Sequence, residues 1–241
     1  MILPNWPIQH RVSALSTTRL GGYSNEPFDS FNLGYHVGDE ITAVDSNHQR
    51  LLEYLPRPAQ WLEQIHSAKV ITVTSRTTAT VWPQADALYT RVAQQPLAIM
   101  TADCLPILLA NEQGTEVAAI HGGWRPLVQG IVANTLSLFD SPAEQLYAWL
   151  GPAIGPLTFE VGSEVKTQFC EQNDAHSSDF SAQGDGKYLA DIYGIARKQL
   201  ACSGVARIFG GQFCTVSQRE LFFSYRRDGQ TGRMASLIWR N

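Results

Sequence analysis

The apolar positions change period several times along the chain, and each change marks an element. A short apolar run at Val12 to Ser16 predicts a first strand, and the paired glycines of Thr17-Thr18-Arg19-Leu20-Gly21-Gly22-Tyr23-Ser24 suit a tight turn after it. The stretch on to Asp39 reads as an extended surface loop. Ile41, Val44, Leu51, Leu52 and Leu55 then recur at helical spacing, which predicts a helix from Ile41 to Leu55 capped by Asp39. Lys69 to Thr74 is β-branched and reads as a strand. Leu97 to Ala110 and Glu116 to Ile120 are two more strand segments, separated by Asn111-Glu112-Gln113-Gly114 as in a hairpin.

Helical spacing returns at Pro126, with Val128, Ile131, Val132, Leu136 and Phe139 on one face and the proline in the first turn. Gln145 to Leu150 reads as a strand running into Gly151-Pro152-Ala153-Ile154-Gly155-Pro156. Ser163 to Glu171 and Leu189 to Ala201 read as helices, and the polar stretch Asn173 to Gly186 between them as a loop. Val205 to Phe209, Glu220 to Tyr225 and Met234 to Trp239 predict a strand-rich end, with Asp228-Gly229 as a turn. Strands at both ends and helices between them fit an α+β class. No repeat or linker divides the chain, so a single domain over residues 1–241 is expected.

Composition narrows the partners. The 241 residues are 44% hydrophobic, enough for a substantial core. Acidic residues outnumber basic ones, 22 to 18, without a block of like charge, so neither nucleic acid nor a membrane surface is expected and a small-molecule substrate is. The start, Met1 to Pro7, lacks the charged and apolar regions of a signal peptide, and no run approaches the ~18 apolar residues of a spanning helix. A cytoplasmic location is expected. The four cysteines, 104, 170, 202 and 214, are sparse and never spaced as CxxC, which predicts reduced thiols rather than a disulfide framework.

Three segments place a metal-ligating side chain at the edge of an element: Glu63-Gln64-Ile65-His66, Thr101-Ala102-Asp103-Cys104 and Ala119-Ile120-His121-Gly122-Gly123-Trp124. His121 leaves a strand just before two glycines and a helix start, where backbone N–H groups are unpaired and favour an anion. The glycines permit close approach, and Arg125 beyond them offers a cation to an anionic group.

Gln64-Ile65-His66, Met100-Thr101-Ala102-Asp103-Cys104-Leu105-Pro106, His121-Gly122-Gly123-Trp124-Arg125 and Gly151-Pro152-Ala153-Ile154-Gly155 resemble the signatures of the YfiH family. So do Thr17-Thr18-Arg19 with Gly21-Gly22, Asn32-Leu33-Gly34, Ala85-Asp86-Ala87 and Phe223-Ser224-Tyr225-Arg226-Arg227-Asp228, so that the likeness spans almost the whole chain. His66 is followed by Ser67 where the family usually has glycine, and Gly122 and Pro126 replace the usual alanine and glycine of its His-Ala-Gly-Trp-Arg-Gly motif. The resemblance implies two mixed β-sheets packed face to face with helices outside, in α/β/β/α layers. It implies His66, Cys104 and His121 as metal ligands. It also brings three described activities: laccase-like polyphenol oxidase, purine nucleoside phosphorylase with adenosine deaminase activity, and peptidoglycan-precursor editing amidase.

Two imidazoles and a thiolate leave a fourth tetrahedral position open, which suits a catalytic zinc ion able to bring a water pKa toward neutrality. Zinc is therefore preferred over copper. Met100 is about four strand residues, ~13 Å, from Cys104, too far to be an axial copper ligand, and after two histidines are assigned the other four, His10, His36, His48 and His176, are scattered, too few for a multicopper cluster. No organic cofactor site is expected.

The first functional expectation is thus a zinc enzyme acting on purine nucleosides, by phosphorolysis and adenosine deamination, with nucleoside and phosphate as partners. Arg125 is the candidate for phosphate or oxyanion binding, assisted by Arg19 or Arg226. Asp103, on the strand face opposite Cys104, is expected to orient a loop or histidine. Asp86 and Glu160 are candidate proton shuttles or metal-ligand supports, and Tyr225 and Trp124 candidates for stacking on a purine. One alternative is a zinc amidase removing an amino acid from a nucleotide-linked muramoyl precursor, with Arg226, Arg227, Arg233 and Arg240 facing its pyrophosphate. Others are a metal-free hydrolase using Cys104 and His121, and a non-catalytic metal-binding regulatory protein. Nothing in the sequence sets an oligomeric state.

Overall fold

The computed structural model describes residues 1–77 and 80–241. The first half contains β1 (Val12–Ser16), α1 (Ile41–Leu52), β2 (Val70–Val73), β3 (Ala87–Thr90), β4 (Leu97–Thr101), β5 (Leu105–Asn111) and β6 (Val117–Gly122). After these come α2 (Trp124–Val128), α3 (Ile131–Leu136), β7 (Leu146–Leu150), β8 (Glu160–Gly162) and α4 (Ser163–Gln172). The chain ends with β9 (Phe180–Gly184), β10 (Lys187–Ala190), α5 (Ile192–Cys202), β11 (Arg207–Gly210), α6 (Tyr225–Asp228) and β12 (Met234–Arg240).

The central layer is a six-stranded sheet, β11-β7-β5-β6-β3-β2, parallel at its two edge pairs and antiparallel within. An antiparallel sheet of order β1-β12-β4 lies across one of its faces. Val12, Leu97, Ile99 and Ile238 of the smaller sheet meet Leu88, Leu108, Ala119 and Trp149 of the larger one in a common core. The opposite face of the larger sheet, with Leu105, Ile107, Leu109 and Ile120, packs against Leu127 of α2, Ile131 of α3, Phe169 of α4 and Ile195 of α5. The outer face of the smaller sheet is covered by Leu51 of α1 together with Phe31, Leu33 and Trp61. The layers are helix, sheet, sheet and helix, as expected, with a third small sheet, β8-β10-β9, added beside α4. No helix among the described residues is long and apolar enough to cross a membrane.

Several expected elements are revised. Leu97 to Ala110 is two strands in different sheets: the chain leaves the smaller sheet after Thr101 and enters the larger at Leu105. Asp103, with φ of +106°, makes the bend. Every residue of β4 and of β5 is buried, so neither strand alternates apolar with polar positions, and only the short Thr101-Ala102-Asp103-Cys104 segment lies between them. The helix from Pro126 is also two, broken at Gly130, whose φ is +84°. Asn173 to Gly186 contains a 3-10 turn and β9 rather than a plain loop, and α5 starts at Ile192 because Lys187–Ala190 pairs as β10. Glu220 to Tyr225 is not a strand. Its Phe222 and Phe223 are buried beside Met234, Ser224 caps α6, and Asp228-Gly229 is the end of that helix. Asp39 does not cap α1; its carboxylate accepts from Asn32 Nδ2 and the Glu40 amide.

Candidate metal centre

Each of the three expected ligands is placed by a different break in regular structure. Cys104 sits at the crossing from one sheet to the other, His121 at the end of β6, and His66 in the loop leading to β2. Their ligating atoms all lie within 4.8 Å of one another, the one such trio of His, Cys, Asp and Glu side chains among the described residues. The rings of His66 and His121 meet edge to face at 4.8 Å between centroids. His66 has a φ of +57°, a left-handed backbone that a non-glycine residue adopts only when its surroundings hold it there.

Asp86 provides that hold. Fully buried just before β3, its carboxylate accepts from the backbone N–H groups of Ile65, His66 and Ser67, at 3.3, 3.0 and 2.6 Å, and from the Ser67 hydroxyl at 2.9 Å. The same carboxylate lies 2.8 Å from Nδ1 of His121. A carboxylate kept ionised can only accept, so Nδ1 carries the proton and Nε2 is left free to ligate. Burial pushes the Asp86 carboxyl up, but the bonds from His121 and Ser67 outweigh it and hold it below its usual range.

The same balance shapes the pair beside it. Burial pushes the Cys104 thiol up, yet the charge and hydrogen bond of His121, and then those of His66, bring it down to about 6. Burial lowers His121, while the Cys104 thiolate and the bond to Asp86 raise it to about 9. Each member of the pair thus favours the charged form of the other.

The trio opens into a cleft of about 1020 Å³, just above the roughly 300–1,000 Å³ of small-molecule sites. Tyr35, His36, Gln64, Trp82, Tyr225 and Arg233 line it together with the ligands. Tyr35 and Trp82 belong to an aromatic group in which Tyr35 stacks on His48 and Trp82 on Trp61, with centroids 5.0 and 5.6 Å apart. Gln64 is pinned through its amide to both the N–H and the carbonyl of Met100, which ties the His66 loop to β4.

Residues 13–241 match the family described as multi-copper polyphenol oxidoreductase laccase. The chain belongs to this family. It is 50% identical over 241 residues to "Purine nucleoside phosphorylase YfiH" of Escherichia coli (strain K12), covering 99% of this chain and 98% of that one. A second relative, a purine nucleoside phosphorylase of Pseudomonas aeruginosa, is 45% identical over 239 residues, 99% of this chain and 97% of its own. The crystal structure of a Neisseria meningitidis protein superposes with a TM-score of 0.95 at 43% identity, covering 100% and 98% of the two chains. That of YlmD from Geobacillus stearothermophilus gives 0.90 at 34% identity, covering 98% and 94%. The family signatures read in the sequence therefore belong to a fold shared over the full length.

Within this family frame, the other expected site residues separate into those near the centre and those apart from it. Asp103 accepts from Thr215 Oγ1 and from the Arg226 amide, both at 2.6 Å, and its carbonyl accepts from Ile154. It stands at the bend next to Cys104, not on a strand, and ties the loops of Thr215 and Arg226 to that bend. Arg125 is exposed and lies over the Trp124 ring, and neither lines the cleft. Arg19 is likewise outside it, paired with Asp29 at 2.9 Å and set over Phe223. Glu160 is exposed and pairs with Lys187. Of the basic C-terminal segment, Arg233 alone among Arg226, Arg227, Arg233 and Arg240 lines the cleft. Arg226 and Arg227 bond backbone carbonyls of Glu160 and of Thr215, Val216 and Phe222, and Arg240 bonds that of Arg91. Tyr225 does line the cleft. Tyr35 and Trp82 carry no signal in the sequence, since aromatic residues in loops have no period, and His36 is set aside there as one of four scattered histidines.

Proposed function

We propose that this chain is a zinc-dependent enzyme of purine nucleosides, cleaving the base from the ribose with orthophosphate and deaminating adenosine. One observation carries the reading: two imidazoles and a thiolate converge on the floor of a cleft large enough for a small-molecule substrate, in a chain half identical to a relative named as a purine nucleoside phosphorylase.

The residues suit the ion. Nitrogen and sulfur donors suit zinc, and three protein ligands are the usual complement of a catalytic zinc site. A Cβ on Gly123 would lie 3.2 Å from Cys104 Sγ and 3.3 Å from His66 Cδ2, so glycine leaves the ligands room to close in. His66, Cys104 and His121 would hold the ion, which when bound would supply Lewis acidity and a water of lowered pKa. Asp86 keeps the proton on His121 Nδ1 and holds the His66 loop in its left-handed turn. Asp103 acts as a positioning residue for the bend that presents Cys104. Trp82 and Tyr35 offer ring faces at the cleft wall for a planar base.

The test is to measure bound metal and to follow inosine and adenosine with and without phosphate. Ribose 1-phosphate, and inosine with ammonia from adenosine, are the expected products. A metal-loaded protein that turns over neither nucleoside would overturn the proposal.

A second reading has its own support: Cys104 and His121 lie side by side, each favouring the other's charged form, as a cysteine nucleophile and its base do in a metal-free hydrolase. Activity that survives complete chelation would favour it. The amidase reading retains only Arg233 of its four arginines in the cleft.

A further inference from the structure

The motif Asn32-Leu33-Gly34 takes no part in the metal centre, yet its atoms converge on one cleft residue. Asn32, fully buried, accepts at Oδ1 from the backbone N–H groups of both Gly34 and Arg233, each at 2.9 Å, and donates from Nδ2 to the Gly34 carbonyl and to Asp39. The Leu33 amide donates to the Arg233 carbonyl at 3.1 Å. Gly34 has an ordinary φ of −95°, so no turn requires glycine there. What requires it is the Arg233 side chain, since a Cβ on Gly34 would lie 2.8 Å from its Cγ.

The arginine seated in this way is incompletely partnered. Its Nη1 donates to the carbonyls of Thr231 and Gly232, and its guanidinium lies 5.9 Å from the Tyr225 ring centroid. Among the described residues no carboxylate forms an ion pair with it, and Nε and Nη2 have no acceptor. Cys104 and Asp103 are the groups whose charges reach Arg233 most strongly; Cys104 faces the two histidines, and the oxygens of Asp103 are engaged by Thr215 and Arg226. Arg233 is the only lysine or arginine among the described residues that line the cleft. Its charge also acts on His36, a second cleft residue, whose pKa is lowered first by burial and then by Arg233.

We infer that Arg233, seated by Asn32-Leu33-Gly34, is the phosphate-binding residue of the cleft. A guanidinium with two free donor positions matches a phosphate group, whether free orthophosphate or an ester on the substrate. Orthophosphate as second substrate rests on the phosphorylase reading; the anion site does not.

The experiment titrates the metal-loaded wild type, Arg233→Gln, Arg233→Lys and Gly34→Ala with orthophosphate by calorimetry, and compares the affinities of AMP and adenosine for the same proteins. All four keep the metal ligands, and thermal unfolding checks that each is folded. Loss of the charged contact should weaken orthophosphate binding, or erase the preference for AMP, on the order of 10- to 100-fold in Arg233→Gln. Arg233→Lys should retain part of it. Gly34→Ala should raise the KM for phosphate while retaining kcat. The first arm identifies free phosphate as the ligand and the second a phosphate ester. If both the orthophosphate affinity and the difference between AMP and adenosine are the same in wild type and Arg233→Gln, or absent from both, the inference is overturned. A wild type that binds phosphate through Arg233 but performs no phosphorolysis would end the phosphorylase reading alone.

Discussion

Asp86 Oδ1 lies 2.8 Å from Nδ1 of His121 while also accepting, at 3.0 Å, from the backbone N–H of His66. One carboxylate thus orients one proposed metal ligand through its ring and another through its backbone. Asp86→Asn can keep one oxygen on both partners, but it removes the negative charge and puts an NH2 donor where Oδ2 accepts from Ile65 and Ser67. Such a support typically contributes about 10- to 100-fold in metal affinity. Competition with a zinc chelator should show that loss in the variant; an affinity equal to wild type would contradict the assigned role.

Gly123 tests the space around the trio. Its φ of −65° suits any residue, so Gly123→Ala should leave the backbone unstrained and act through the new methyl against Cys104 Sγ and His66. A fall in zinc affinity of about tenfold is expected, with far-UV circular dichroism unchanged. Full affinity in a folded variant would show that the ligands do not close at this point.

Metal uptake should depend on pH in a definite direction. At pH 7 Cys104, at about 6, is already a thiolate, but His121, at about 9, still carries the proton that a cation must displace. Apparent zinc affinity should therefore rise about tenfold per pH unit from pH 7 toward 9 and then level off, with one proton released per ion. Zinc titrations in buffers of different ionisation enthalpy measure that proton. A flat profile over this range would contradict the thiolate–imidazolium pairing.

Far from the cleft, Glu116 sets part of the acid sensitivity. Burial pushes its carboxyl up, but bonds from Ser141 and Tyr89 and from the Asp140 and Ser141 amides bring it down to about 2, from about 4.5 for an ordinary glutamate. The unfolded chain therefore takes up the proton first. The contribution is complete above pH 4.5 and is lost as the pH falls toward 2, on the order of 2 kcal/mol. Urea unfolding at pH 7 and pH 3 should show a smaller acid loss in Glu116→Gln than in wild type; equal losses would assign the sensitivity elsewhere.

The parts of the fold that were legible in the sequence are those with a local signal. Val12–Ser16 appears with its observed bounds, and Leu146–Leu150, Met234–Arg240 and the turn between β5 and β6 appear nearly so, because apolar runs there end in polar or glycine-containing segments. The crossing at Asp103 was hidden because β4 and β5 are buried throughout and the bend is a backbone property. The strands β9 and β10 were hidden for the opposite reason: β9 is mostly exposed and polar, with no buried face to set a period. The three candidate ligands come from family signatures, not spacing, since 38 positions separate His66 from Cys104 and 17 more lead to His121; that they converge is seen only in the fold. Asp86 was visible as a motif residue, but its double contact exists only once β3 and β6 pair and bring it beside His121. Arg19 and Arg125 drew attention as motif cations, yet only the folded chain shows Arg233 facing the cleft.

The most direct measurement of the central claim is metal content and inosine phosphorolysis in the same preparations of wild type, Cys104→Ser and His121→Ala. The account predicts one zinc per wild-type chain, release of ribose 1-phosphate that stops on chelation and returns with zinc, and folded variants lacking both metal and activity. Undiminished phosphorolysis by metal-free wild type, or by a variant that binds no ion, would contradict it.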